Sequence, residues 1–198
     1  MPVSINTDRE LLEEVEEKDT RLYGTDNLID RRISGHSKSM ERDLERAFFS
    51  CAEANGTAYT LTATAINEQV EELIQKIETT KNDYVDGVDR DMISVILDTA
   101  TYGKMRNFLD TSANNSNVDT AGRDFGLFHG VKVYSSVYLP SGVTMVAMAD
   151  GAIAQPVMTT LSDPVKIQLS NSYSFGLFYS YGTEAVMPDL IYHVSAEG

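Results

Sequence analysis

The sequence predicts an α+β protein, with helices in the first half of the chain and most strands in the second. Three observations predict it. Between residues 26 and 110 apolar side chains recur every three or four positions, the period of an amphipathic helix. Beyond residue 123 the pattern changes to short apolar or alternating runs punctuated by Gly, Pro and Asp, as in strands joined by tight turns. Between the helical stretches lies one nearly continuous apolar run, Met92 to Leu97, which reads as a buried strand. Helices followed by strands, without strict alternation, is the α+β order.

Residues 7–19 (TDRELLEEVEEKD) read as a short, very acidic helix, capped by Thr7 and carrying a narrow stripe of Leu11, Leu12 and Val15. A break follows at Tyr23-Gly24. Thr25 or Asp26 then caps a long helix running to about Ala54. Its apolar stripe is Ile29, Ile33, Met40, Leu44, Phe48 and Cys51, with Arg31, Lys38, Glu41, Arg42, Glu45 and Arg46 on the other faces. Gly35 weakens this helix by roughly 1 kcal/mol relative to Ala, and Asn55-Gly56 supplies its stop. Roughly 30 helical residues extend about 45 Å, longer than a compact domain of this size is wide, so the helix reads as a strut.

Residues 57–62 (TAYTLT) alternate like a strand. Thr64 can cap a second amphipathic helix, with Ile66, Val70, Leu73, Ile74 and Ile77 on one face. Lys81 to Asp91 is a polar turn region, and Asp98 or Thr99 caps a short helix from Tyr102 to Leu109. Residues 110–123 (DTSANNSNVDTAGR) form a polar loop. The strands expected after it are Gly126–His129, Val131–Tyr138, Val143–Ala149, Val165–Ser170, Phe175–Tyr181 and Leu190–Val194. Gly130, Pro140-Ser141-Gly142 and Asp163-Pro164 supply turns.

Composition narrows the function. The chain has 198 residues and a formal net charge of -14, so it repels polyanions, although an acidic wall can enclose nucleic acid without gripping it. No apolar run approaches the roughly 20 residues that span a bilayer, and residues 1–10 lack the pattern of a secretory signal. The single cysteine, Cys51, excludes an intrachain disulfide, fits a reducing cytoplasm and reads as a small core residue.

The candidate chemistry is sparse. His36, His129 and His193 fall in three different elements, without HExxH or paired spacing, and read as isolated core or surface residues. Asp83, Asp86, Asp89 and Asp91 cluster in one turn, where a hard cation would find carboxylates. The ligand spacing of an EF-hand and its bidentate Glu are missing, so a solvated acidic turn is the plainer reading. The Glu run at 10–17 spreads over several helical faces and implies no pocket. GxSxG, GxxxxGK[ST] and a post-strand GxGxxG are absent. No catalytic, cofactor-binding or metal-binding residue is assigned, and no cofactor is expected.

The order of the elements resembles the major capsid proteins of tailed phages, the Hong Kong 97-type fold, from about residue 26 to the C-terminus. Residues 25–54 look like the family's spine helix. The resemblance continues through NEQVEELIQKIETTKNDY, RDMISVILD, TATYGKMRNFLD, FGLFHGVKVYSSVYLP, VTMVAMADGAIAQPV and FYSYGTEAVMPDLIYHV, in that order. It implies a peripheral domain (25–61 and 150–198, spine helix and C-terminal strands), an axial domain (62–149) and an acidic N-terminal helix or arm (1–24). It also implies a non-enzymatic major capsid protein that self-assembles, through capsomer rings, into an icosahedral shell around a viral genome. Its expected partners are copies of itself, with scaffold, portal or decoration proteins; sequence-specific nucleic-acid binding and membrane binding are not expected. The expected location is the virion, after assembly in the host cytoplasm. Loop 110–123 and helix 7–19 are the expected contact regions, the latter on a basic patch of a neighbour or scaffold.

Members of that family usually carry a long arm and an extended β-hairpin, the E-loop, before the spine helix. About 25 residues precede it here, so these devices are reduced or the chain is the C-terminal portion of a longer one; no E-loop lysine crosslink is expected. Two other readings stand beside this one. An encapsulin-like nanocompartment shell shares the fold, and a small α+β ligand- or metal-binding domain would use the Asp83–Asp91 turn.

Overall fold

The computed structural model describes residues 3–16, 18–19, 25–83, 85–111 and 127–196. Its elements in the first half are β1 (Thr7–Glu16), α1 (Thr25–Asn55), β2 (Thr57–Ala58), α2 (Ile66–Glu78), β3 (Ile93–Leu97) and α3 (Thr99–Thr111). The strands that follow are β4 (Leu127–Phe128), β5 (Val131–Ser135), β6 (Val143–Ala149) and β7 (Ile153–Ala154). The last are β8 (Val157–Leu161), β9 (Val165–Lys166), β10 (Ser172–Tyr181), β11 (Glu184–Ala185) and β12 (Ile191–Ser195). They gather into two units, Met1–Ala47 with Gln155–Thr183 and Phe48–Ala154 with Glu184–Gly198.

In the first unit β10 is the central strand of an antiparallel sheet. Along one edge β1 pairs with it from Thr7↔Tyr181 to Glu16↔Ser172; along the other lie β8 and β9. Residues of β1 therefore alternate between the two faces. Leu11 and Val15 join Phe175, Leu177, Tyr179 and Tyr181 beneath the part of α1 that carries Ile29, Met40 and Leu44.

The helix expected over residues 7–19 is thus corrected: Thr7–Glu16 is a strand. Leu11, Leu12 and Val15 fit one helical stripe, but in the strand Leu12 faces away from the other two. The row on the helix side is Leu11, Glu13, Val15, and its glutamate hides the alternation that would have marked a strand. Ten residues of pairing with β10 override a helical propensity that sums to little over so short a segment.

The second unit is built on a six-stranded sheet of order β2-β12-β6-β3-β5-β4. β3 and β5 run parallel, as do β12 and β2; the remaining pairs are antiparallel. One face meets α2 through Val70, Leu73, Ile74 and Ile77, and α3 through Tyr102, Met105 and Leu109. The other face is covered by Phe49 and Ala52 at the end of α1, with Ala152 and Ile153. Burial on both faces explains the continuous apolar run in β3, as the sequence predicts.

The sequence division into 25–61 with 150–198 and 62–149 differs from these units. Residues 184–198 lie in the second unit because β12 is an interior strand of its sheet, between β2 and β6. The long helix and the β6 strand are as expected. α1 stops at Asn55, where the Gly56 amide donates to the Ala52 carbonyl at 2.9 Å. A Cβ on Gly56 would come within 2.7 Å of Ile191 Cγ2, so glycine is needed there for close approach.

Other boundaries move. The expected strand 57–62 is ordered as β only at Thr57–Ala58, because the segment beyond is held by a side chain, Glu72, instead of a ladder. Thr64 is not a cap: α2 starts after Ala65 without a side-chain cap bond. α3 is longer than expected and starts where Asp98 Oδ1 accepts from the Thr101 amide at 2.8 Å. Strands 131–138 and 165–170 shorten to Val131–Ser135 and Val165–Lys166, the latter before a left-handed Leu169. The Tyr23-Gly24 break and most of loop 110–123 lie outside the described residues.

Candidate assembly surfaces

The first unit is tied together by charged and polar side chains between sheet and helix. Glu13, on the inner face of β1, accepts from Arg32 Nη1 at 3.1 Å and pairs with His36 Nε2 at 2.9 Å. The His36 ring lies 5.8 Å from that of Phe175. Further along, buried Tyr179 donates its hydroxyl to Asp43 Oδ2 at 2.9 Å. Burial, reinforced by the Asp43 carboxylate, pushes the phenol up to about 12. Gln155 Nε2 donates to the Leu44 carbonyl at 3.0 Å and to Thr183 Oγ1 at 2.8 Å.

The outer face of the same sheet is different in character. Along β1 it carries Asp8, Glu10, Leu12, Glu14 and Glu16, all exposed. Leu12 is 63% exposed and lies across Gly176, whose added Cβ would sit 2.6 Å from Leu12 Cδ2. Phe178 and Met158 extend this apolar strip across the sheet.

In the second unit Arg90 is the hub of an ion cluster. Its Nη2 reaches Glu71 Oε1 at 2.6 Å and its Nε reaches Glu78 Oε1 at 2.7 Å. His129 Nδ1 meets Glu71 Oε2 at 2.9 Å. Burial pushes the Glu71 carboxyl up, but hydrogen bonds from Arg90, His129 and Gln75 outweigh it and hold the group down at about 2. Arg90 is itself held further in its charged form by Glu78 and Glu71. Nearby, Glu72 pins the irregular stretch before α2. It accepts from the Ala63 amide at 2.9 Å, from the Thr62 amide and hydroxyl, and from the Tyr59 hydroxyl; the Ala63 bond is the largest cause of its lowered pKa.

The candidate residues of the sequence are therefore scattered among structural roles. His36 and His129 each meet a glutamate, and His193 is buried within β12, where its carbonyl accepts from the Tyr59 amide. Asp86 pairs with Lys81 at 2.6 Å, while Asp89 and Asp91 belong to the 3-10 turn at Arg90–Met92. Asp83 lies in the preceding bend. Among the described residues no three His, Cys, Asp or Glu side chains are grouped to hold a metal. Cys51 is half-buried, and burial pushes its thiol up. No described helix is long and apolar enough to cross a membrane.

Sequence reasoning missed the Glu13 tie and the Glu71–Glu78–Arg90 cluster. Glu71 and Glu78 are seven apart, two turns of one helical face; that spacing was the available signal, but Arg90 reaches them only through the fold.

Comparisons place this arrangement among capsids. A family described as phage capsid protein matches residues 13–182. The fold is similar to a chain of Mycobacterium phage Che8 with a TM-score of 0.74 at 16% identity, covering 97% of this chain and 71% of that one. It is similar to a capsid chain of the cyanophage P-SCSP1u with a TM-score of 0.73 at 8% identity, covering 99% and 74%. The SrpI encapsulin of Synechococcus elongatus is similar with a TM-score of 0.61 at 11% identity, covering 96% and 73%. No curated protein sequence matches the chain.

Proposed function

The chain belongs to the phage capsid protein family and is a structural component of the viral shell, not an enzyme; from that premise we propose that its copies close into an icosahedral shell around the genome. The observation that carries this reading is the family match over residues 13–182 on the Hong Kong 97-type capsid fold. In this reading the unit of α1 and the β1-β10-β8 sheet is the peripheral domain, and the unit of the six-stranded sheet is the axial domain.

Assembly takes place in the host cytoplasm, with scaffold, portal and decoration proteins as further partners. The acidic chain lines the shell without gripping nucleic acid. A nanocompartment would need the same fold, as the encapsulin likeness illustrates; the family match favours the viral shell. Negative-stain electron microscopy of the purified protein, with light scattering for mass, tests the proposal. Rings, tubes or closed particles are expected, and a uniform monomer under all assembly conditions, scaffold included, would overturn it.

A further inference from the structure

The two edges of the sheet in the first unit differ in charge. β1, at one edge, carries Glu10, Glu13, Glu14 and Glu16. β8, at the other, reads VMTTL, without a charge, and all five of its residues are exposed. Among the described residues no strand lies beyond it. Edge strands that stay unpaired are normally guarded by charges, by proline or by a bulge. Here Pro156 and Pro164 stand outside the strand, and no residue within it is a guard. In a chain with a net charge of -14, a neutral, exposed edge of high β-propensity is where copies meet with least repulsion.

The ladder with β10 shows which main-chain groups β8 offers. At its two ends the Gly182 amide donates to the Pro156 carbonyl at 3.2 Å and the Ser162 amide to the Gly176 carbonyl at 2.9 Å. Antiparallel pairs alternate, so Met158 and Thr160, in step with Pro156 and Ser162, direct their N–H and C=O groups at β10. Val157, Thr159 and Leu161 direct theirs outward. The side chains of these three lie on the α1 side of the sheet, because they stand opposite Tyr181, Tyr179 and Leu177, which pack there. Val157 is nevertheless 39% exposed and Leu161 48%, because they sit at the margin of the sheet.

We propose that β8 of one copy pairs antiparallel with β8 of a second copy, about a two-fold axis through Thr159. In that register Thr159 stands opposite itself, and Val157 stands opposite Leu161 of the second copy. The outward groups are then matched, giving about six main-chain hydrogen bonds, and Val157 and Leu161 gain an apolar partner across the strands. The segment suits self-pairing because it is neutral; the same operation on β1 would set acid near acid. The two sheets join edge to edge in one layer, so the contact extends a shell laterally. It is isologous and joins subunits pairwise, leaving rings to head-to-tail contacts. The inference rests on the shell reading above and names one contact within it.

Two sets of full-chain variants test it. Met158 and Thr160 of the second copy would form a non-hydrogen-bonded pair with Cα atoms about 4.5 Å apart, within reach of a disulfide. Under mild oxidation, Met158→Cys with Thr160→Cys is expected to give a disulfide-linked dimer on a non-reducing gel, above any background from Cys51 in the wild type. Thr159→Lys sets two ammonium groups opposite each other at an exposed position. It is expected to leave the melting of the unassembled chain unchanged, and to lower both the crosslink and the particle yield in electron microscopy and light scattering by about tenfold or more. Failure of the cysteine pair to crosslink, or particles undiminished by Thr159→Lys, overturns the contact and leaves the shell reading intact as long as the wild type forms particles. Loss of particles on Thr159→Lys without a crosslinked dimer means that a different partner covers β8, and also overturns it. Without particles from the wild type under all assembly conditions the shell reading fails, and the crosslink in solution decides the contact alone.

Discussion

Replacing Glu71 by Gln should destabilise the second unit at neutral pH and lose its effect in acid. The carboxylate is more than three-quarters buried, with its side chain 23% exposed, and it stands between Arg90 at 2.6 Å and His129 at 2.9 Å. Its folded value is about 2 against 4.5 for an ordinary glutamate. A carboxyl lowered by folding stabilises the folded state fully above the unfolded value, and that contribution is lost as pH falls from about 4.5 towards about 2. The full difference corresponds to about 3 kcal/mol; water at the open side of the cluster brings the expected effect to about 2 kcal/mol. For a chain of this size that is a fall in melting temperature of about 4–8 °C at pH 7. The assay is thermal melting of the unassembled chain and of Glu71→Gln across this pH range. The gap should narrow below pH 4.5 and nearly vanish near pH 2, where the wild-type carboxyl is itself protonated. A gap that stays constant with pH, or none at pH 7, would refute the claim that ionised Glu71 anchors Arg90.

Three further outcomes follow from the same geometry. Tyr179→Phe removes the donor to Asp43 and should cost about 1–2 kcal/mol by denaturant unfolding. In the wild type the phenol's raised value means that its contribution is present below about pH 10 and lost as pH climbs towards about 12, which absorbance titration of tyrosinate follows. Gly182→Ala drives a Cβ into the Ser4 carbonyl and should destabilise the β1–β10 sheet by about 1–3 kcal/mol, whereas Gly103→Ala, in α3 with open space around it, should stabilise by up to about 1 kcal/mol; paired melts compare them. Millimolar calcium should leave the melting midpoint unmoved, because Asp86 is paired with Lys81 and Asp89 and Asp91 sit in a 3-10 turn; a rise would restore the cation reading of residues 83–91.

What could be read from the sequence was whatever local pattern decides alone. The α2 face and the β3 run survive because each has one period over enough residues and buries what its pattern says; the α1 stripe survives in part, with Ile29 buried and Phe48 and Cys51 half-buried, while the buried Phe49 and Ala52 lie off it. β1 was misread because Glu13 occupies an inward position, and its partners Arg32 and His36 lie about two and three turns into a different element. β8 was missed for the opposite reason: VMTTL has no alternation, since all five residues are exposed and only β10 makes them a strand. The segment after β2 reads as a strand by composition, yet four hydrogen-bonding groups of residues 59–63 converge on Glu72, a side chain in the next helix. Segment 7–19 was named from the sequence as a contact region, but as a helix and not as the strand it forms. Glu10 and Glu14 were visible as charges, but only strand geometry puts them on the same face as Leu12.

The two units use their few cations differently. With 16 basic residues against 30 acidic ones, the chain is short of cations, and copies held side by side repel. In the second unit Arg90 is committed internally, holding Glu71 and Glu78 to the turn that leads into β3. In the first unit Arg32 is likewise committed to Glu13, but Arg31, its neighbour in sequence, is exposed, as is Lys38.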